Sequence, residues 1–328
     1  MKQRVLGRTD LKVSEVALGG LFVSSHGAAY EQGKAAVDKA MELGINYIDT
    51  APGYADSEEV LGKALQDVDT PYTLSTKLGG KPVPFDPQDP DCLMRSVENS
   101  LKLLKRDQID ILMIHEPDRP GQYAWWTDLV HYDGPVLKVL EDLKQQGIIR
   151  FTGLGGTTAY QMAPIMKTGL FDVVLTAFNY SLLWREAEHE ILPTAKEMDM
   201  GVVIGSPLQQ GALAVRYDEV IARKPRWLSL PRQQQFQALY ALLDETGMPL
   251  PEMAMRFVLS NPDVSCVLTG ARSSEEMAVN VAAAEKGPLP AGILKRLDDI
   301  ATMVPFRPCH EPFFLPMQYD YAGPGEAM

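Results

Sequence analysis

Asp49, Tyr54, Lys77 and His115 stand at or just beyond the ends of successive apolar runs, in Tyr47-Ile-Asp-Thr-Ala-Pro-Gly-Tyr54, Leu74-Ser-Thr-Lys77 and Ile111-Leu-Met-Ile-His115. A carboxylate, a phenol, an ammonium and an imidazole brought to one place make a proton-transfer site. A phenol titrates at about pH 10 and is a poor acid at neutrality, and a nearby ammonium favours its anion and lowers that value. Lys77 is the residue to do this for Tyr54, Asp49 to pair with Lys77 and hold it charged, and His115 to hydrogen-bond a substrate oxygen or relay its proton. Such a site protonates a developing alkoxide, or takes the proton of an alcohol in reverse. Singly, each residue has a plainer use as a turn cap, solvated charge, core imidazole or packing ring. Four plain uses in a row at consecutive run ends make a poor joint account.

The elements that must position these groups alternate between short branched runs and longer segments of helical period. Val16-Ala-Leu precedes a helix over 31–44, Tyr47-Ile one over 57–66, Tyr72-Thr-Leu one over 90–105, and Ile109 to Ile114 one over 134–147. Arg150 to Gly153 precedes 158–168, Asp172 to Leu175 precedes 187–198, Gly201 to Ile204 precedes 232–260, and Cys266-Val-Leu precedes 274–284. Eight strand-helix units without polar alternation in the strands predict a parallel sheet covered on both faces and closed as an α/β, (β/α)8 TIM barrel, one domain over 1–328. A small hairpin at residues 1–13 is expected to cap it. Ser57 reads as an N-cap, and Gly44, Gly147 and Gly201 as helix stops. In such a barrel catalytic groups sit at the C-terminal ends of the strands, which makes Asp49, Lys77 and His115 neighbours. Three long connections, 116–133, 208–231 and 304–328, are expected to wall the substrate pocket at that face; the last has a disordered end or an oligomer contact as its alternatives.

Composition narrows the rest. The 328 residues are 45% hydrophobic and carry a net charge of −12, which repels nucleic acid and anionic membranes. No segment approaches about 18 uninterrupted apolar residues, so no membrane span is expected. Cys92, Cys266 and Cys309 are scattered and suggest reduced thiols in a cytoplasmic protein. The five histidines lie far apart without helical ligand spacing, so no metal site is expected. Covalent catalysis by Lys77 as a Schiff base, the aldolase alternative, wants an apolar surrounding without a carboxylate partner.

Several spaced motifs then carry a resemblance. Leu6-Gly-Arg-Thr, Gly44-Ile-Asn-Tyr-Ile-Asp-Thr-Ala-Pro-Gly-Tyr54 with Ser57-Glu58, Ser75-Thr-Lys77, Ile109 to His115, and Gly270-Ala-Arg-Ser-Ser-Glu-Glu with Asn280 make the chain similar to aldo-keto reductases over nearly its whole length. The resemblance implies a barrel that binds NADP(H) or NAD(H) in extended form, and hydride transfer to or from a carbonyl or alcohol carbon. Tyr54 is then the general acid/base beside Asp49, Lys77 and His115.

By the same match Tyr180 falls where a ring stacks on the nicotinamide, and Ser206, Pro207, Leu208, Gln210 and Gly211 fall on the loop around the pyrophosphate. Gly270, Arg272, Ser273, Glu276 and Asn280 fall at the adenosine end, and Gly20 lies on the cofactor side of the rim. The chain departs from the family with Gly155-Gly156 in place of Ser-Asn and Ala177 in place of Gln, so Thr157, Asn179 or backbone are the expected partners of the carboxamide. Glu276 suits a free 2′-hydroxyl whereas Arg272 and Ser273 can hold a 2′-phosphate, and the family's habit tilts the expectation narrowly to NADP(H) over NAD(H). The pocket implied is lined by Phe22, Trp125, Trp126, Trp227 and His310 beside Tyr54 and His115. Aromatic rings with polar groups suit a small-molecule carbonyl of sugar type, whose CH faces stack and whose hydroxyls find hydrogen bonds. A reductase or aldose dehydrogenase is the first expectation, and a cofactor-binding regulatory subunit without turnover is the alternative.

Overall fold

Residues 1–308, 311–312 and 314–317 are described by a computed structural model. Eight parallel strands close a barrel: β3 (Val16–Gly19), β4 (Tyr47–Asp49), β5 (Thr73–Leu78), β6 (Ile109–His115), β7 (Ile149–Gly156), β8 (Val173–Ala177), β9 (Gly201–Gly205) and β10 (Cys266–Gly270), which pairs back onto β3. The helices that cover them are α1 (Tyr30–Glu42), α2 (Ser57–Ala64), α3 (Pro90–Leu104), α4 (Pro135–Gln145), α5 (Ala159–Met166), α6 (Ile191–Glu197), α8 (Leu230–Thr246), α9 (Leu250–Leu259) and α10 (Ser274–Glu285). The chain is a (β/α)8 TIM barrel.

Strand periodicity sorts the side chains. Residues i and i+2 share a face, and the barrel interior holds Ala17, Tyr47, Ile111, Met113, Val173, Leu175, Val203, Cys266 and Leu268 as one apolar cluster. One step further along each strand, the same inward parity delivers Gly19, Asp49, Lys77, His115, Gly155, Ala177, Gly205 and Gly270 to the C-terminal rim. The other parity packs against the helices in the larger core. A dry apolar floor therefore lies below a rim that is polar on one side and made of glycine and alanine on the other.

The expected hairpin forms from β1 (Gln3–Val5) and β2 (Lys12–Ser14). Its Leu6 and Val13 are fully buried in the interior cluster and close the N-terminal end of the barrel. Arg4 fastens it: the guanidinium donates to the carbonyls of Leu259, Asn261 and Val264, and to Glu15 at 2.8 Å.

Four sequence expectations need correction. The helix expected over 232–260 is two, α8 and α9, because Gly247 caps α8 in the left-handed region (φ 64) and Pro249 and Pro251 restart the chain. Gly201 stops no helix; it opens β9, and Asp199 makes the left-handed turn (φ 51). A side chain at 201 would meet Leu6 of the hairpin. Ser57 is the first helical residue of α2 and does not cap it; its hydroxyl donates to Gly20 O at 2.8 Å. Two further helices, α7 (Asp218–Arg223) within the 208–231 connection and α11 (Ala291–Ala301), lie outside the eight-unit reading.

Arg4 serves three carbonyls between the end of α9 and the start of β10. Arg4→Ala is expected to cost about 2 kcal/mol by urea unfolding, with Arg4→Lys losing less, because charged hydrogen bonds of this kind contribute about 1.5–3 kcal/mol each and are not additive. An unchanged midpoint would mean the hairpin is a passive plug.

Candidate active site

The four rim groups converge. Lys77 Nζ lies 2.6 Å from Asp49 Oδ2 and 2.8 Å from Thr50 O, with the two charged side chains only 1% and 3% exposed. Ser75 Oγ donates to the other carboxylate oxygen at 2.9 Å. Strand register dictates this: Asp49 pairs with Ser75 on β5, two residues before Lys77. The ammonium sits 4.8 Å from the centre of the Tyr54 ring, and that ring meets His115 edge to face at 5.9 Å.

Electrostatics assign the roles. Burial alone would lower Lys77, but Asp49 and Tyr54 together more than offset it and the ammonium ends raised, held charged. Tyr54 departs from the sequence expectation. Burial raises its hydroxyl and Asp49 adds to this, and together they outweigh the lowering by Lys77, so the phenol stays protonated at neutral pH. His115 is pushed down to about 3 by burial and by the Lys77 charge, so it is a neutral imidazole that can hydrogen-bond but not store a proton. Its Nδ1 has no hydrogen-bond partner among the described residues. Together these groups can offer one proton, from Tyr54, to an oxygen held by His115.

Supporting residues explain the glycines. Gly155 pairs with His115 across β6 and β7, and a methyl group there would press on the Lys77 stem at 3.3 Å. Gly156 faces outward, where any side chain would run into Asp118 and Met162. Asp118 fixes the start of α5, accepting from Thr157 N at 3.1 Å and Thr158 N at 2.6 Å. The Thr157 hydroxyl donates to Glu116 at 2.7 Å, and Asn179 Nδ2 donates to Thr157 O and Thr176 Oγ1. Both expected carboxamide partners thus have donors committed inside the protein. Gly20 packs on Ser57 and Asp49 O, beneath the site.

The aromatic residues are distributed differently from expectation. Trp125 is fully buried, donates to His115 O at 2.9 Å and stacks among Phe85 and Tyr123, so it supports the histidine from behind. Trp126 is bound to Pro117 O and packs on Tyr132, and Trp227 is buried in the main core. Phe22 lies over Gly270 and under the Arg272 guanidinium at 5.6 Å, at the seam of β10 and β3. Tyr180 is 3% exposed, packed on Phe257 of α9 with Asn261 donating to its hydroxyl. His310 lies outside the described residues, and His131 is exposed and paired with Asp128.

At the far end, Ser206 (φ 54), Gln209 (φ 50), Gln210 (φ 52) and Gly211 (φ 103) give the loop after β9 a run of left-handed backbone, with Pro207 and Leu208 between. Ser273 caps α10, and Glu276 returns its carboxylate to Arg272 N at 2.9 Å, a reciprocal capping arrangement. Asn280 is buried one turn on. Glu116, Asp118 and Ser75 were not singled out from sequence; Glu116 directly after His115 was the available signal.

The model of the aldo/keto reductase family matches residues 15–302. The chain belongs to the aldo/keto reductase family. Among relatives, an L-galactose dehydrogenase of Arabidopsis thaliana is 30% identical over 85% of this chain and 87% of its own. An NADH-specific methylglyoxal reductase of Escherichia coli is 28% identical over 86% of this chain and 93% of its own. A putative voltage-gated potassium channel subunit beta of Schizosaccharomyces pombe is 28% identical over 92% and 94%. An aldo-keto reductase of Bacillus halodurans, solved in holo form, superposes with a TM-score of 0.74 at 27% identity, covering 94% of this chain and 98% of that one. Among the described residues no helix of this aldo-keto reductase is long and apolar enough to cross a membrane, and no cluster of acidic, histidine and cysteine side chains could hold a metal ion.

Removing one partner of a buried ion pair strands the other. Lys77→Met is expected to cost about 3–5 kcal/mol by denaturant unfolding, and Lys77→Met with Asp49→Asn less than Lys77→Met alone. Losses that simply add would show that the two charges are independent.

Proposed function

We propose that the protein is a nicotinamide-dependent oxidoreductase that interconverts a hydroxylated, sugar-type carbonyl and its alcohol. The observation that carries this reading is the intact set around Tyr54: a protonated phenol, a neutral imidazole and a buried ammonium-carboxylate pair within one rim. In the reducing direction His115 holds the carbonyl oxygen, and Tyr54 gives it a proton as negative charge develops there; the phenolate recovers its proton from solvent. A nicotinamide, when bound, supplies the hydride.

The rim fits such a group. From β7 through β10 to β3 its inward positions are Gly155, Ala177, Gly205, Gly270 and Gly19, none with a side chain larger than methyl, with the Phe22 ring lying over Gly270. A flat, extended ligand needs that clearance. The loop 206–211 and the N-terminus of α10 lie at the ends of β9 and β10, where backbone amides suit phosphate.

At α10 the geometry favours NAD(H) over the NADP(H) that family habit suggested. The Glu276 carboxylate already occupies the helix N-terminus at Arg272 N, so a 2′-phosphate would meet a negative charge there. The name of the Escherichia coli relative, NADH-specific methylglyoxal reductase, points the same way. Two free, buried cysteines, Cys92 and Cys266, support a reducing, cytoplasmic setting.

A second reading, a cofactor-binding regulatory subunit without turnover, draws support from the potassium channel subunit beta relatives. Purified protein mixed with NADH or NADPH and a panel of aldehydes and aldoses separates the two by absorbance. Turnover that falls at least about a hundredfold in Tyr54→Phe supports the enzyme, since a positioned proton donor contributes roughly 10²–10⁴-fold. Cofactor binding without turnover on any carbonyl supports the subunit. Separately, wild type is expected to bind NAD+ more tightly than NADP+, and Glu276→Arg to shift that ratio toward NADP+ by about tenfold, a charge-assisted hydrogen bond gained in place of a repulsion. A wild-type preference for NADP+ contradicts the assignment.

A further inference from the structure

The loop after β9 is held in an unfavourable shape, and one side chain holds it. Ser206 (φ 54), Gln209 (φ 50) and Gln210 (φ 52) all carry a Cβ in the left-handed region, as does Phe178 (φ 68) at the matching position after β8. A residue with a Cβ stays in that region only where its surroundings over-determine it. Gln209 is 4% exposed, and its carboxamide reaches out of its own loop: Nε2 donates to Phe178 O at 3.2 Å and to Ser181 Oγ at 2.9 Å. Both acceptors lie on the connection that follows β8, so the side chain ties the exits of β8 and β9 together just above the rim. Ser181 is fixed in turn, its hydroxyl oxygen accepting from Leu183 N and Trp184 N at 3.3 Å.

What the loop presents follows from that shape. The amides of Gln209, Gly211, Ala212 and Leu213 are spent within it, on Ser206 O, Leu208 O, Gln209 O and Leu208 O. Pro207 has no amide hydrogen. Among the described residues the amides of Leu208 and Gln210, on either side of Gln209, find no acceptor. Leu208 is partly exposed and Gln210 exposed, so both lie within reach of a ligand. A chain of net charge −12 draws no anion by its mean field, and placed backbone donors of this kind are how such a protein holds a phosphate.

Resting on the nicotinamide-dependent reading above, we propose that Gln209 is a positioning residue whose side chain locks the 206–211 loop in the shape that keeps the Leu208 and Gln210 amides available to the diphosphate of the dinucleotide. Gln209 touches neither the proton donor nor the ion pair, so it sets cofactor affinity and leaves the chemical step alone. Local preference does not supply the lock, because the left-handed region is eased for glycine and asparagine and not for glutamine. Reach supplies it: the carboxamide must cross to the β8 connection.

The test measures NADH and NADPH dissociation constants by fluorescence titration of the full-length protein. Gln209→Met keeps the length and loses both donors, whereas Gln209→Asn suits the left-handed backbone but is one methylene short of Ser181. Both variants are expected to weaken NADH and NADPH alike, by about tenfold, with kcat at saturating cofactor within about twofold of wild type. The preference between the two cofactors stays as in wild type, because the diphosphate is common to both. Ser181→Ala, which removes one acceptor from outside the loop, is expected to give a smaller loss in the same direction and decides the matter if a Gln209 variant does not fold. Dissociation constants within about twofold of wild type in the folded variants overturn the proposal. So does full affinity in Gln209→Asn alone, which would make the backbone preference and not the cross-link the cause, or a fall in kcat with affinity unchanged, which would assign Gln209 to the chemistry. A wild type that binds neither NADH nor NADPH overturns the parent reading itself, an outcome distinct from variants that bind as well as wild type.

Discussion

An ammonium and a carboxylate 2.6 Å apart and almost closed to water are stable only if every remaining hydrogen-bonding position is served. In this barrel Thr50 O takes a second lysine donor, Ser75 takes the second carboxylate oxygen, and Gly155 leaves the space through which the lysine stem passes. The pairing of β4, β5 and β6 in fixed register is what brings these groups together. Much of the surrounding structure serves that constraint: the apolar floor keeps the pair dry, and the hairpin closes the floor from below. Dryness in turn sets the chemistry, because it keeps Tyr54 protonated and His115 neutral.

The rim is asymmetric for a related reason. The charged and hydrogen-bonding side chains come from β4, β5 and β6, while β7 to β10 and β3 contribute only small residues at the same level. The residues just above, Thr157, Asn179 and Asp118, are cross-linked to one another or to helix ends, so the wall there is rigid.

Barrel class, strand order and the convergence of Asp49, Tyr54, Lys77 and His115 on one rim were legible in the sequence, because eight apolar runs and strand-end position are one-dimensional signals. Helix starts and stops were less so. Ser57 looked like a cap, but its hydroxyl is drawn to Gly20 O by tertiary packing, and Gly201 is glycine because the hairpin crosses it, a contact between residues far apart in the chain. The aromatic residues misled for the same reason: a tryptophan in a long loop reads as pocket lining, yet Trp125 is spent holding His115 O and Tyr180 is turned against α9. Periodicity says which face a strand residue takes; it says nothing about where a loop folds back. The sign of the Tyr54 shift was also hidden, since it is set first by how deeply the phenol is buried.

The central claim is that burial at the dry rim keeps Tyr54 as a protonated donor beside the ion pair and leaves His115 neutral. The most direct measurement is the pH dependence of kcat/KM for aldehyde reduction. The account predicts a rate that is flat through neutrality and falls only above about pH 10 as the phenol loses its proton, with no limb from the imidazole. A rate that follows a group titrating near 6.5, the ordinary histidine value, and loses that dependence in His115→Gln would contradict it.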